Sequence, residues 1–277
     1  MTTLAHVTDL HLIEDDYRSR AEPERRRLEV LTFGRKKDPK ARRLRAAAAL
    51  RAAWETGADH LVVTGDLTED GVDAQFGVVA EVLDASPWPA PRVTLVPGNH
   101  DAYADGNAFE RALDGPLARF AATSRPGAVT VLPGALLVAV STSTAQSYGR
   151  ATGSIRDAAF GAMARAAELA ARTGRAAVIA MHHAPFGHAF APLHWIDGLR
   201  EHARMLELLR GHDALYVLHG HTHEARDAAV RAGGTPRVFS ARAAVEDPGA
   251  ARTYEARFGR LAPSVEPAGA ARMRLAV

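Results

Sequence analysis

Aspartate, asparagine and histidine residues of this 277-residue chain are concentrated directly after short apolar runs. The runs and the polar residues that follow them are Leu4–Thr8 with Asp9 and His11, Leu61–Thr64 with Asp66, Val93–Val96 with Asn99, His100 and Asp101, Ala177–Met181 with His182 and His183, and Leu215–Leu218 with His221 and His223. Carboxylate, amide and imidazole groups ligate metal ions, and several of them move protons in acid–base catalysis. The pattern therefore indicates a metal site, a proton-transfer site or both.

Each block alone has an ordinary interpretation, because Gly, Asn and Asp favour turns and a histidine pair is usually packed or exposed. Five independent turns would rarely all carry residues of this kind. Without thiolate, such ligands suit Mn, Fe, Zn, Co or Ni. Seven candidates exceed what one tetrahedral ion takes and fit two ions that share a carboxylate. These seven are Asp9, His11, Asp66, Asn99, His182, His221 and His223.

The elements that must position these residues alternate between strand-like and helix-like patterns. Further strands are predicted at Leu136–Val140 and Arg237–Ser240, and helices at Ala41–Thr56, Asp73–Ala85, Ala108–Ala122, Asp157–Thr173 and Gly198–Arg210. Alternation of this kind predicts an α/β protein with strands buried on both faces, whose carboxyl ends hold the ligand site. We expect a single domain over residues 1–277, with C-terminal strands within 253–277 that close the edge of a second sheet.

Composition narrows the chemistry. The chain has no cysteine, which excludes disulfides, zinc–thiolate sites and thiol catalysis. The N-terminal residues lack the features of a secretory signal, and no apolar run approaches the roughly 20 residues that span a bilayer. A cytoplasmic location is the expectation from these absences.

In their order along the chain, the five blocks resemble those of the calcineurin-like metallophosphoesterases. The resemblance runs from Asp9 to His223 and implies a four-layer α/β/β/α sandwich of two mixed sheets flanked by helices, with a dinuclear centre at the strand ends. It implies a first ion on Asp9, His11, Asp66 and His223. It also implies a second ion on Asp66, Asn99, His182 and His221, so that Asp66 bridges the two ions.

The resemblance also implies roles for residues beside the ligands. His100 would face the phosphate as general acid or charge stabiliser, with Asp101 orienting it. His183 would face substrate. The family frequently has the sequence HHPP at this block, whereas this chain has His182-His183-Ala184-Pro185. His188 and His194, in the loop FGHAFAPLHW, are candidate substrate contacts, whereas His60 is expected at the surface.

A basic segment separates the first two blocks. Between Arg25 and Arg45 lie ten basic and two acidic residues, within a formal net charge of +2 for the whole chain. The insertion, at about residues 13–45, could be a solvated basic helical hairpin. Alternatively it could be a pocket lid that attracts phosphate-rich substrates, nucleic acid or an acidic membrane surface.

The expected function is hydrolysis of a phosphodiester or phosphomonoester by a metal-bridged hydroxide. A small-molecule ester is favoured as substrate, either a cyclic nucleotide or a lipid or nucleotide phosphodiester. A nuclease is the alternative enzyme, because the basic segment would suit nucleic acid, although it has few aromatic residues for stacking. A non-catalytic scaffold of the same fold is the alternative of another class, but a scaffold should have lost ligands and every block is intact.

Overall fold

Two mixed β-sheets lie at the centre of the molecule. The computed structural model describes residues 1–264 and the backbone of residues 271–272. The strands are β1 (Thr2–Val7), β2 (His60–Thr64), β3 (Val93–Val96), β4 (Val129–Val131), β5 (Ala135–Ala139), β6 (Ala176–Ala180), β7 (Leu215–His219), β8 (Arg226–Ala229), β9 (Pro236–Ser240), β10 (Arg252–Arg257), β11 (Arg260–Pro263) and β12 (Ala271–Arg272). The first sheet has the order β11-β10-β1-β2-β3, and the second has the order β12-β8-β9-β7-β6-β5-β4.

Helices cover the outer faces of both sheets. The α-helices are α1 (Glu22–Leu31), α2 (Pro39–Glu55), α3 (Asp73–Asp84), α4 (Ala108–Asp114), α5 (Ala121–Ser124), α6 (Asp157–Thr173), α7 (Ala191–Asp197) and α8 (His202–Gly211). The N-terminus of α2 is capped by the Asp38 carboxylate, which accepts a hydrogen bond from the Ala41 amide at 3.0 Å. Among the described residues, no helix has the length and apolar character to cross a membrane.

The alternating direction of side chains along each strand produces the layers of the fold. In β2, Leu61 and Val63 pack against the helices of the first sheet, whereas Val62 packs in the core between the two sheets. In β6, Val178 packs in that same central core and Ile179 packs against the helices of the second sheet. Successive side chains of a strand point to opposite faces, so a strand buried on both faces reads as one apolar run. The predicted four-layer α/β/β/α sandwich is confirmed.

Parallel pairing brings the polar blocks to one edge. β1 pairs parallel with β2, and β2 with β3, in the first sheet. β6 pairs parallel with β7 in the second sheet. The carboxyl ends of these five strands therefore lie together where the two sheets face each other, and the five blocks follow those ends.

Some predicted elements differ from the structure. The helix expected over 108–122 ends at Asp114, because Gly115 and Pro116 interrupt it and Pro116 has no amide hydrogen to continue the helix. At the C-terminus, β10 pairs with β1 inside the first sheet and β11 forms that sheet's edge, instead of both closing the second sheet. Of the tail strand expected at 272–277, only Arg272 lies within the described residues, in β12.

His60 is a further correction, because it is buried at the start of β2 and not exposed. Its Nε2 hydrogen-bonds with the Thr94 hydroxyl at 2.9 Å. Burial lowers the pKa of His60 to about 4, and the nearby Arg92 charge adds to this effect.

The lowered pKa predicts acid destabilisation. The unfolded chain takes up the His60 proton near the ordinary value of about 6.5, whereas the folded chain stays neutral down to about 4, so stability falls as the pH drops between these values. His60 should cost the wild-type protein about 2 kcal/mol of unfolding free energy between neutral pH and pH ~5. We expect His60→Asn to lack this part of the pH dependence. Urea unfolding of both proteins across this range measures it, and parallel pH profiles would contradict the assignment.

Candidate metal centre

The backbone at the shared strand edge has an unusual conformation. Among the described residues, six other than glycine have a positive φ, and five of them belong to the predicted ligand set: Asp9 (57°), His11 (47°), Asp66 (48°), His221 (68°) and His223 (55°). The left-handed region is rare for residues with a Cβ, and it persists only where surrounding contacts enforce it. The sequence folds these turns so that their side chains point inward instead of along the sheet.

Asp9, His11 and His223 form one group of possible ligands. The Asp9 Oδ1 atom lies 3.4 Å from His223 Nε2 and 3.9 Å from His11 Nε2. Thr8 donates its hydroxyl hydrogen to the other Asp9 oxygen at 2.6 Å, and His223 Nδ1 lies 2.8 Å from a Glu246 carboxylate oxygen. These outer contacts leave Asp9 Oδ1 and His223 Nε2 facing each other, as metal ligands held by hydrogen bonds do.

Asp66, Asn99 and His182 converge in the same way. His182 donates its Nδ1 hydrogen to the Thr64 carbonyl at 2.8 Å, so its Nε2 lone pair faces Asp66 Oδ2 at 3.3 Å and Asn99 Oδ1 at 3.1 Å. The Asn99 amide nitrogen donates to Tyr103 Oη at 3.0 Å, which fixes its oxygen toward the group. The two oxygens and the ring nitrogen can face one another in this way when a proton on His182 Nε2 or a metal ion lies between them.

Asp66 also reaches the first group. Its Oδ2 atom lies 3.7 Å from His11 Nε2, in addition to its contact with His182. Ligand atoms of Asp66 fall within 4.8 Å of those of Asp9 and His182 in one set, and of those of His11 and His100 in another. The carboxylate therefore lies where a ligand shared by two ions would lie.

Unpaired atoms test whether these residues fit metal ions. Asp9 Oδ1 and both ring nitrogens of His11 are buried and have no hydrogen-bond partner. Buried polar atoms without partners are rare and destabilising in folded proteins. Ion coordination would satisfy Asp9 Oδ1 and His11 Nε2, so the donor set fits.

The electrostatics of the centre favour added positive charge. Burial opposes ionisation of Asp66, yet the His182 and His100 imidazoles hold the pKa of this carboxyl well below its usual range. Burial likewise opposes protonation of His182, but the Asp66 charge raises the pKa of His182 to about 9. The negative charge that raises the pKa of His182 would also stabilise a metal cation bound at this site.

His221 departs from the expected ligand set. Its Nε2 atom lies 2.9 Å from a carboxylate oxygen of Asp197, at the C-terminus of α7. The ring nevertheless packs edge-to-face against His182, with centroids 5.1 Å apart. Sequence reasoning missed Asp197, because nothing in the letters HWIDGL marks a partner for a histidine 24 residues away.

His100 lies at the centre, but its partner differs from the expected one. The His100 amide donates to Asp66 Oδ1 at 2.9 Å, and the ring donates its Nδ1 hydrogen to the Glu69 carbonyl at 2.6 Å. The Asp101 carboxylate instead accepts hydrogen bonds from the Leu67, Thr68 and Gly98 amides. The prediction that Asp101 orients His100 is therefore wrong for this geometry: Asp101 ties the loops after β2 and β3 together.

His183 has both ring nitrogens engaged within the protein. It is fully buried, its Nε2 donates to the Ala151 carbonyl at 3.0 Å, and its Nδ1 lies 2.7 Å from the Thr142 hydroxyl. Burial lowers the pKa of His183 well below its usual value, and the neighbouring His221 and His182 add to the effect. With both nitrogens occupied, His183 supports the loop around Ala151.

His188 and His194 lie farther out, His188 on the loop after β6 and His194 within α7. His188 lines a cavity of about 150 Å³ together with Ala184, Phe186, Asp197, Leu199 and His221. His194 packs its ring against His202, with centroids 4.3 Å apart, and is not among the residues that line this cavity. The structure thus brings His188 to a cavity beside His221, whereas His194 supports the loop.

The basic segment contacts two acidic residues that sequence reasoning missed. Arg35 and Arg42 form ion pairs with the buried carboxylate of Glu69. Arg20 and Arg27 form ion pairs with the buried carboxylate of Asp70, at 2.8 and 2.9 Å. These four arginines are engaged within the molecule, so the insertion is not a freely solvated basic hairpin. The run TED after Gly65-Asp66 was the signal that could have suggested this contact.

Two glycines allow the loops to approach the centre. A Cβ atom on Gly98 would lie 2.2 Å from Asp66 Oδ1, and one on Gly220 would lie 1.9 Å from the Thr8 hydroxyl oxygen. Neither distance is possible between real atoms, so only glycine fits at these positions.

Gly98→Ala is therefore expected to displace Asp66 and abolish binding of divalent metal. Gly77→Ala is the matched control, because a Cβ there meets nothing within 4 Å and lies inside α3, where alanine stabilises by up to about 1 kcal/mol. Metal titration by calorimetry distinguishes the two variants. Unchanged metal affinity in Gly98→Ala would contradict this role of the close contact.

Comparison with known proteins identifies the family and agrees with the fold. The family model described as "Calcineurin-like phosphoesterase" matches residues 2–225, and the chain belongs to this family. A cAMP/cGMP dual specificity phosphodiesterase of Mycobacterium tuberculosis (strain CDC 1551 / Oshkosh) is 28% identical over 176 residues. That alignment covers 61% of this chain and 50% of the relative, so the chain spans about half the length of the curated relative it matches.

Two solved structures show the same fold at low sequence identity. A dimetal phosphatase from Danio rerio matches with a TM-score of 0.59 and 14% identity, over 95% of each chain. The protein TT1561 of Thermus thermophilus matches with a TM-score of 0.55 and 14% identity, over 95% of this chain and 98% of that one. Family membership supports a phosphoric ester hydrolase and confirms the predicted class.

Proposed function

We propose that the chain hydrolyses a small phosphodiester at a dinuclear metal centre, with a cyclic nucleotide as the leading substrate class. The observation that carries the proposal is the position of Asp66, whose carboxylate faces two converging groups of ligand atoms. The name of the mycobacterial relative, a cAMP/cGMP phosphodiesterase, supports the substrate class.

The residues that would hold the ions follow from the two groups. Asp9, His11 and His223 would bind one ion, Asn99 and His182 the other, and Asp66 both. His221 would join the second ion by releasing Asp197. The mixed oxygen and imidazole donors suit Mn, Fe, Zn, Co or Ni. When bound, such a pair supplies Lewis-acid activation of water and neutralises charge on the phosphate oxygens.

The protein's own contribution centres on His100. Because its Nδ1 hydrogen is donated to the Glu69 carbonyl, its Nε2 atom faces the centre beside Asp66 and His11. Protonated at Nε2, His100 donates a hydrogen bond to a phosphate oxygen and a proton to the leaving alkoxide. Asn99 is a neutral ligand and limits the negative charge that an anionic substrate meets.

The engaged arginines argue for a small substrate over nucleic acid. Nucleic-acid affinity depends on cationic groups that are available to neutralise phosphates. Arg20, Arg27, Arg35 and Arg42 are instead paired with Glu69 and Asp70. The cavity of about 150 Å³ beside His221 could receive a small group of the substrate.

Turnover of bis(p-nitrophenyl) phosphate and p-nitrophenyl phosphate with added Mn tests the proposal. We expect faster hydrolysis of the diester, hydrolysis of cyclic nucleotides, and little cleavage of single-stranded DNA or RNA. Asp66→Asn should abolish both activity and metal binding, because it alters the shared ligand. His100→Ala should lower kcat by about 10²–10⁴-fold and keep the metal, because it removes only the proton donor.

Three outcomes would contradict parts of this account. A wild-type protein without metal and without turnover under any metal would overturn the enzyme proposal. Preferred cleavage of nucleic acid would favour the nuclease. Full activity of His100→Ala on every ester would remove the role given to His100.

A further inference from the structure

Glu69 is a fully buried carboxylate directly behind the centre. It follows Asp66 by three residues, on the loop between β2 and α3. Its amide donates to the Leu12 carbonyl at 3.1 Å, which fixes this loop against the residues that follow β1. The side chain therefore has a defined direction toward the centre.

The Glu69 carboxylate faces the Nδ1 atoms of His11 and His100, on the side of each ring away from the centre. Its Oε2 atom lies 3.6 Å from His11 Nδ1, and its Oε1 atom lies 3.6 Å from His100 Nδ1. Both contacts are longer than a hydrogen bond, but His100 Nδ1 already donates to the Glu69 carbonyl at 2.6 Å. No other carboxylate in the described part of the chain lies within 4.0 Å of His11 Nδ1, which has no hydrogen-bond partner.

Two arginines of the insertion hold the carboxylate in place. Arg35 pairs with Oε1 at 2.5 Å and also donates to the Leu31 carbonyl at 2.8 Å. Arg42, which is buried, pairs with Oε2 and donates to the His11 carbonyl at 2.5 Å. A buried carboxylate needs such partners, since an uncompensated buried charge is strongly destabilising. The pairs also restrain both oxygens toward the two histidines.

We propose that Glu69, held by Arg35 and Arg42, is a positioning residue that sets the ring orientation of His11 through its carboxylate and that of His100 through its backbone carbonyl. This inference rests on the dinuclear centre proposed above. A carboxylate behind the Nδ1 hydrogen of His11 keeps Nε2 deprotonated toward the ion and orients the ring. The inserted basic segment thereby supports the centre from behind, instead of recruiting substrate from solution.

Variants of Glu69 test the proposal against a matched control. Glu69→Gln removes the charge, and Glu69→Asp keeps the charge but withdraws the oxygens from both histidines. The control is Asp70→Asn, because Asp70 is equally buried and paired with Arg20 and Arg27, but its carboxylate contacts neither His11 nor His100 in this structure. Calorimetric titration with Mn measures affinity and stoichiometry, and ¹⁵N spectra of the imidazoles report the tautomers of His11 and His100.

We expect both Glu69 variants to bind Mn about 10- to 100-fold more weakly than wild type, because each withdraws or neutralises the carboxylate that orients the ligand His11. The tautomer signals of His11 should change, and Asp70→Asn should keep the affinity within about 2-fold even if its melting temperature falls. Equal loss of affinity in Asp70→Asn, or wild-type affinity and tautomers in both Glu69 variants, would overturn the proposal.

The comparison also separates this inference from the proposed function. Absence of Mn binding in the wild type would defeat the dinuclear centre itself, and the positioning role with it. Two bound ions in wild type, with affinity unaltered in Glu69→Gln and Glu69→Asp, would defeat the positioning role alone. Glu69→Asp keeps the negative charge for Arg35 and Arg42, so the test survives if Glu69→Gln does not fold.

Discussion

The repulsion among buried acceptor atoms at the strand edge is the constraint on which the structure depends. Asp9, Asp66 and Asn99 present oxygen atoms to one another and to the Nε2 atoms of His182 and His223, while the other polar atoms of these residues are held by hydrogen bonds. Such a cluster is unstable without positive charge at its centre. Both the raised pKa of His182 and the fit to metal ions follow from this one arrangement.

The fold opposes this repulsion with rigid supports. Five of the seven candidate ligands sit in left-handed turns after buried parallel strands, where the backbone has little freedom to relax. Asp101 ties two of these turns together through backbone amides, and glycines at 98 and 220 let the loops approach the ligand side chains. Preorganised ligands of this kind bind an ion without first having to be ordered.

Local patterns predicted strands buried on both faces and a shared strand edge where the polar blocks meet, and the family resemblance implied the four layers. Apolar runs such as Leu61–Thr64 mark buried strands, and the polar blocks after them meet because parallel strands share an edge. Sequence reasoning failed where a side chain's direction in a turn decides the contact. Neighbouring His100 and Asp101 leave the same turn in different directions, and the occupied nitrogens of His183 depend on Thr142 and Ala151.

Long-range ion pairs were equally beyond sequence reasoning. The basic segment reads as a charge cluster, and nothing local shows that Arg42 meets Glu69 or that His221 meets Asp197. These pairs change the interpretation of the insertion from a cationic surface to a support for the site. They also show why net charge over a segment indicates little about its partners when buried carboxylates lie close by.

The most direct test of the central claim is an anomalous-scattering map of crystals grown with Mn. We expect two anomalous peaks about 3.5–4 Å apart, one on each side of the Asp66 carboxylate. A single peak, or peaks remote from Asp66, would contradict a centre built on a shared carboxylate.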